Sequence, residues 1–383
     1  MVSSFRDRVL ATYAREPVDQ VVFQPRIRFW YTGNHVNVPA AKHDPSWKRF
    51  DKTIPPTFFG MDLLEVHDAL KASIRYCAET LGINLFNTSF KKGTDVKIHT
   101  SRDADGSSVT THETPVGSVT ERHKLTSVGG SYPIEHPVKN IEDLEVIEYI
   151  EAETEFSFNA PGFELADEVL EGRGVPQAYY RRSPFMRCVL NYLGFENTVL
   201  FLQRHKQAML DFMAFLGEQD DAIYETIVRC PVKILDFGEN IDANLVPPRY
   251  FSDYCIPYYN RRIKQLHDAG KYCHIHMDGS LKDLLPLIKD TDFDGIEAAT
   301  PEPQGDVTVD ELKEALGDKI LQDGIPATLF MEQFSATRLE ATVKRLVELF
   351  APNLIIGVSD ELPPNGQIGR FGIITRILDT MMP

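Results

Sequence analysis

Short apolar runs alternate with amphipathic segments along most of this chain, and that rhythm constrains the fold more than any other feature. The runs read as strands at 21–27 (VVFQPRI), 83–90 (INLFNTSF), 177–182 (QAYYRR), 232–239 (VKILDFGE), 271–278 (KYCHIHMD), 293–300 (FDGIEAAT), 319–325 (KILQDGI) and 353–360 (NLIIGVSD). They are rich in Ile, Leu and Val and mostly lack polar alternation, as parallel strands covered on both faces require. Helix signals fall between them. Thr308 and Glu311 have capping-box spacing ahead of a segment that closes on Gly317. Ser335 opens a second segment, with apolar residues at Leu339, Val343, Leu346, Val347 and Phe350. Eight strands alternating with helices predict an α/β fold, a (β/α)8 TIM barrel.

The segment from about 95 to 135 breaks the rhythm. An Asp-Gly pair at 105–106 lies between β-type runs, which predicts hairpins. We expect a β-hairpin insertion over the barrel mouth within a single domain spanning 1–383. Residues 136–153 then return to helix.

The formal charge of -16 disfavours nonspecific binding to nucleic acid or to an anionic membrane. A small molecule or a protein partner fits better. The 5 cysteines are scattered and form no Cys-x-x-Cys pair, which points to a reducing compartment. The first residues carry charges throughout, and no run is long and apolar enough to span a bilayer. A cytoplasmic protein is expected.

Barrel enzymes place their chemistry at the C-terminal ends of the strands. Glu239, His276, Asp278, Glu297, Asp323, Asp360 and Glu361 all fall at predicted strand ends, and Arg26, Arg28, Trp30 and Tyr31 lie by the first strand. Each has an ordinary reading. A strand-end histidine often only packs, Asp278 could cap a helix with Ser280, and Glu239 could pair with an arginine. Trp30 and Tyr31 could be core, and Asp323, followed by glycine, reads as a turn residue. The convergence of several strands is stronger than any single member. His276 with carboxylates from other strands suits a zinc site with one open position. His274 projects to the same side of its strand and reads as a buried structural residue ahead of a second ligand.

Two longer blocks carry a resemblance. Residues 238–270, GENIDANLVPPRYFSDYCIPYYNRRIKQLHDAG, and 270–320, from GKYCHIHMDGS through TDFDGIEAAT to GDVTVDELKEALGDKI, resemble the uroporphyrinogen decarboxylase-like superfamily. The resemblance runs from about residue 20 to the C-terminus and is strongest between 231 and 325. The superfamily holds decarboxylases and corrinoid-dependent methyltransferases. The arginine- and glycine-rich N-terminal signature of the decarboxylases is not matched by FQPRIRFWYTGN, and the chain looks more like the methyltransferases. That resemblance implies a bound zinc and a partner corrinoid protein, carrying cobalamin, over the barrel mouth.

In members that methylate a thiol, the zinc is held by His and two Cys. This chain has His276-Met277-Asp278 at the first position and Ser359-Asp360-Glu361 near the last strand. A His and carboxylate set is harder and leaves a metal more Lewis-acidic toward oxygen. This implies transfer of a methyl group from a methoxylated aromatic to cob(I)alamin, as in the methyltransferase I components of O-demethylase systems. Glu239, His276 and Asp360 are the implied zinc ligands, with Asp278 and Glu361 as alternates. Glu239, His276 and Asp278 form the implied catalytic set, and Arg26, Tyr31 and Tyr179 would hold the aromatic donor. Three other readings remain: a uroporphyrinogen decarboxylase-type decarboxylase, a zinc-dependent amidohydrolase-like hydrolase using His-x-His, and a non-catalytic partner that docks a corrinoid protein.

Overall fold

The structure is a computed structural model and describes residues 3–126 and 131–381, with Tyr180 described in its backbone only. It divides into two compact units. One comprises Met1–Leu85, Asn159–Arg181 and Pro231–Pro383, and the other Phe86–Phe158 and Arg182–Cys230.

The first unit is built on eight parallel strands: β1 (Val22–Phe23), β2 (Ile74–Tyr76), β3 (Gly174–Tyr180), β4 (Ile234–Ile241), β5 (Tyr272–Met277), β6 (Gly295–Glu297), β7 (Ile320–Pro326) and β8 (Leu354–Ser359). Neighbours follow chain order from β2 round to β8, and β8 pairs with β1 through Val22↔Ile355 and Phe23↔Ile356. The Ser73 amide donates to the Phe23 carbonyl at 2.8 Å, so the two ends of the sheet meet. This is the expected barrel. Helix Phe5–Tyr13 covers its N-terminal end, where Val9 and Tyr13 pack with Val22, Val175, Ile234, Ile320 and Ile355. The Thr308–Glu311 capping box forms, and Ser335 caps a helix that buries Leu339, Val343, Leu346, Val347 and Phe350.

Seven predicted strands recur with small shifts in their ends; the second does not. Residues 83–90 are not in the barrel: Phe86–Phe90 pairs antiparallel with Thr154–Phe158 in the other unit. The true second strand has 3 residues with Arg75 at its centre. Too short and too polar to read as a strand, it works here because that buried cation is matched by carboxylates. Asp323 is not a turn residue either. It is fully buried within β7 at φ 80, and this left-handed residue breaks the alternation of the strand. Gln322 and Asp323 therefore both bond to residues inside the barrel. Gly357 makes room for this: a β-carbon there would lie 2.4 Å from Asp323 Oδ1 and 2.8 Å from the Gln24 carbonyl oxygen.

The second unit holds a four-stranded antiparallel sheet of Lys97–Arg102, Ser108–Thr114, Gly117–Leu125 and Ser131–Glu135. The turn after Asp105 uses Gly106 at φ 83, as an Asp-Gly hairpin requires. Hairpins were thus expected in the right place, although residues 127–130 lie outside the described residues. The unit that holds this sheet comprises Phe86–Phe158 and Arg182–Cys230. The helix expected at 136–153 runs over Asp143–Ala152. Among the described residues, no helix is long and apolar enough to cross a membrane.

Two tests follow from the barrel. Gly357→Ala should destabilise by about 1–3 kcal/mol through overpacking. Gly372→Ala should be neutral or stabilise by up to about 1 kcal/mol, because it lies in helix Phe371–Met381 with nothing within 4 Å of the added carbon. Urea denaturation compares the two; equal effects would contradict the packing. His67 is buried in helix Leu63–Leu70, and burial pushes its imidazole down to about 4. The unfolded chain takes up that proton near 6.5 and the folded chain does not, so stability falls as pH drops from 6.5 toward 4. Relative to His67→Gln, the wild type should lose about 1.4 kcal/mol per pH unit in that window. Denaturation midpoints between pH 4 and 7 measure this, and parallel profiles for the two proteins would contradict it.

Candidate active site

Strand alternation turns His274 and His276 of β5 to the same side, and pairing register sets their neighbours. Asp236 of β4 is level with His274, and Glu297 of β6 is level with His276. Two polar layers result.

The deeper layer surrounds His274. Tyr13 donates its hydroxyl hydrogen to Gln322 Oε1 at 2.9 Å and meets His274 Nδ1 at 2.7 Å. With its single hydrogen used, Tyr13 must accept from that nitrogen, so His274 carries its proton on Nδ1. Tyr76 donates to Asp236 Oδ2 at 3.0 Å, and its oxygen lies 3.4 Å from His274 Nε2. Burial pushes His274 down to about 3, and burial together with the Glu297 charge holds Asp236 well above the usual carboxylate range. His274 is fully buried in the barrel interior, bonded to Tyr13.

The upper layer is ionic. Arg75 reaches Glu297 Oε1 at 2.6 Å and Asp323 Oδ1 at 2.5 Å. The other oxygen of Glu297 bonds His276 Nδ1. Burial alone would lower His276, but the charge and hydrogen bond of Glu297 prevail and raise it to about 10. Burial opposes the charge of Glu297, yet His276 and Arg75 keep it well below the usual carboxylate range. His276 Nε2 lies 3.8 Å from Asp278 Oδ1, whose side chain is 36% exposed.

Arg26 forms the rim. Its guanidinium contacts Glu79 at 2.5 Å, Asp360 at 2.6 Å, Glu361 at 3.7 Å and Glu297 at 3.9 Å. The Tyr76 and Tyr179 rings stack at 4.1 Å, and Arg26 lies 5.5 Å from the centre of one and 5.7 Å from the other. Glu361 also accepts the Phe29 amide at 2.5 Å, and burial raises its carboxyl to about 7.

Of the residues singled out from the sequence, the structure brings together Arg26, Tyr179, His276, Asp278, Glu297, Asp323, Asp360 and Glu361. Tyr31 instead donates to the Met61 carbonyl at 2.9 Å, and no described contact joins it to this cluster. Trp30 is core, bonded through Nε1 to Asp51 at 2.8 Å. Asp278 does not cap with Ser280, whose amide lies on Asp242. Glu239 is fully buried on β4, and after burial its charge is what raises the Cys255 thiol.

The fit to a divalent ion is partial. His276 Nε2 and Asp278 Oδ1, 3.8 Å apart, can be spanned by two bonds of about 2.1 Å. Asp360 is held by Arg26. Glu239, His276 and Asp360 are not preassembled. Among the described residues, the one trio whose ligand atoms all lie within 4.8 Å of one another is His267, Cys273 and Asp294, at the opposite end of the barrel.

The family model for uroporphyrinogen decarboxylase (URO-D) matches residues 125–374, well over half of the chain. The chain belongs to the uroporphyrinogen decarboxylase family. It is also similar in structure to a B12-independent methionine synthase from Shewanella sp. W3-18-1, solved in complex with selenomethionine. That match has a TM-score of 0.44 at 12% identity and covers 94% of this chain and 96% of that one. No curated protein matches the sequence.

Sequence reasoning missed Arg75, Tyr76, Glu79, Asp236, Gln24 and Tyr13 in this uroporphyrinogen decarboxylase family member. One signal was available: in SIRYC, at 73–77, Arg and Tyr sit in a β-type run just before a helix. Arg75→Met would leave Glu297 and Asp323 without their buried cation. It should cost about 3–5 kcal/mol of stability by urea denaturation; a loss below about 1 kcal/mol would show that the pair is not desolvated as described.

Proposed function

We propose that this protein is a methyltransferase that takes a methyl group from an aryl methyl ether and passes it to cob(I)alamin on a partner corrinoid protein. One observation carries the reading: His276, fixed through Nδ1 by Glu297, faces Asp278 across 3.8 Å through Nε2. This is the arrangement in which a carboxylate orients a metal-binding imidazole.

The methyl carbon goes to cobalt(I), and the electron pair of the broken carbon–oxygen bond stays on oxygen as a phenolate. The conjugate acid of a phenolate has a pKa of about 10, as for Tyr, so positive charge at that oxygen lowers the barrier. A zinc ion, when bound, would supply that charge as a Lewis acid. His276, on losing its Nε2 proton, and Asp278 would hold it, with Asp360 or Glu239 completing the set. Glu297 fixes the imidazole tautomer and orientation. Tyr179, the exposed member of the Tyr76–Tyr179 stack, would meet the ring of the donor.

The competing readings fare less well. His274 is taken up by Tyr13 and Tyr76, so the His-x-His pair does not act together as in a metal hydrolase. A tetrapyrrole with many carboxylates would meet a mouth already rich in carboxylates.

Metal analysis with a screen of methyl donors tests the reading, using the spectral change from cob(I)alamin to methylcobalamin. One zinc per chain and transfer from a methoxyarene are expected. His276→Ala should lower the rate about 100-fold or more, and chelation should abolish transfer. Undiminished transfer after chelation would remove the metal from the reading. Tetrapyrrole turnover without methyl transfer would replace it with the decarboxylase.

A further inference from the structure

We propose that the methyl donor carries no negative charge: the mouth takes an uncharged or cationic methoxyarene and rejects a carboxylated one. This rests on the methyltransferase reading and names the substrate class of the same site.

The inference comes from what Arg26 is already doing. An arginine beside two aromatic rings at a barrel mouth looks like a clamp for the carboxylate of an aromatic acid. Here its guanidinium has four carboxylates within 4.0 Å: Glu79, Asp360, Glu361 and Glu297. The two nearest, at 2.5 and 2.6 Å, lie on different nitrogens, so the fork used for bidentate recognition is occupied. Arg75 is matched by Glu297 and Asp323, and His276 by Glu297. Two acids remain open to solvent beside Arg26 and His276, with side-chain exposures of 43% for Asp360 and 36% for Asp278, while the exposed cation Arg28 lies two residues beyond Arg26.

An incoming carboxylate must displace an internal partner of Arg26 and then sit beside the displaced acid. Like charges in a partly desolvated site repel strongly. A neutral ring pays neither cost and gains contact with the exposed part of Tyr179. A ring carrying an ammonium group gains in addition from the two exposed acids and from contact with the Tyr179 ring. Glu79 therefore sets specificity by holding Arg26 away from the donor.

Isothermal titration of the full-length, zinc-replete protein tests this without turnover. The probes are 2-methoxyphenol, 4-methoxybenzylamine and 4-methoxybenzoate. The first two are expected to bind at least about tenfold more tightly than the benzoate. Added salt should weaken the amine and strengthen the benzoate, because screening acts on both with opposite sign. Glu79→Gln should narrow the gap by releasing part of Arg26. Benzoate binding as tight as 2-methoxyphenol in the wild type overturns the charge rule and leaves the methyltransferase reading standing. Binding of none of the three overturns both.

Discussion

Glu297 is shared between two cations, and the rest of the barrel mouth depends on that sharing. One oxygen takes Arg75 from β2, and the other takes His276 from β5. All three side chains are buried, and each charge is tolerable only because the others are present. Asp323 of β7 closes the set on Arg75, so four strands meet through one ionic group. Gly357 of β8 belongs to the same arrangement, since its missing side chain leaves space for Asp323. The irregular φ of Asp323 has its reason here as well: it brings a second polar group of β7 to the axis where Arg75 needs a partner.

The barrel separates its histidines by depth. Two residues apart on one strand, His274 and His276 are given opposite character by their neighbours. His274 sits among hydroxyls and a carboxyl held well above its usual range, and burial keeps it neutral. His276 sits on an ionised carboxylate near solvent. The two histidines of the His-x-His pattern therefore differ in partner, Tyr13 for the inner and Glu297 for the outer. Four carboxylates surround Arg26, in a chain whose formal charge is -16.

The fold was legible because it rests on patterns that a single sequence carries. Parallel strands covered on both faces read as apolar runs, and seven of the eight were visible that way. The caps at Thr308 and Ser335 read from spacing alone. The second strand was not legible, because its central residue is a charge and its stability comes from partners on β6 and β7, far away in sequence. The site was half legible for the same reason. Acids and a histidine at strand ends announce themselves, so His276, Asp278, Asp360 and Arg26 could be named. What each is bonded to is a matter of register and depth, so the pairing of Arg26 and the role of Glu297 as a bridge came only with the structure. Tyr31 was named because it lies close to Arg26 in sequence, but its helix turns its hydroxyl to Met61.

The central claim is that Glu297 prepares His276 to hold a divalent ion. Zinc affinity, measured by competition with a chromophoric chelator, compares the wild type with Glu297→Gln. The expected result is one tight site in the wild type, weakened about 10- to 100-fold in Glu297→Gln as the imidazole loses its orienting carboxylate. Equal affinity in the two proteins, or no zinc bound by the wild type, would contradict the claim.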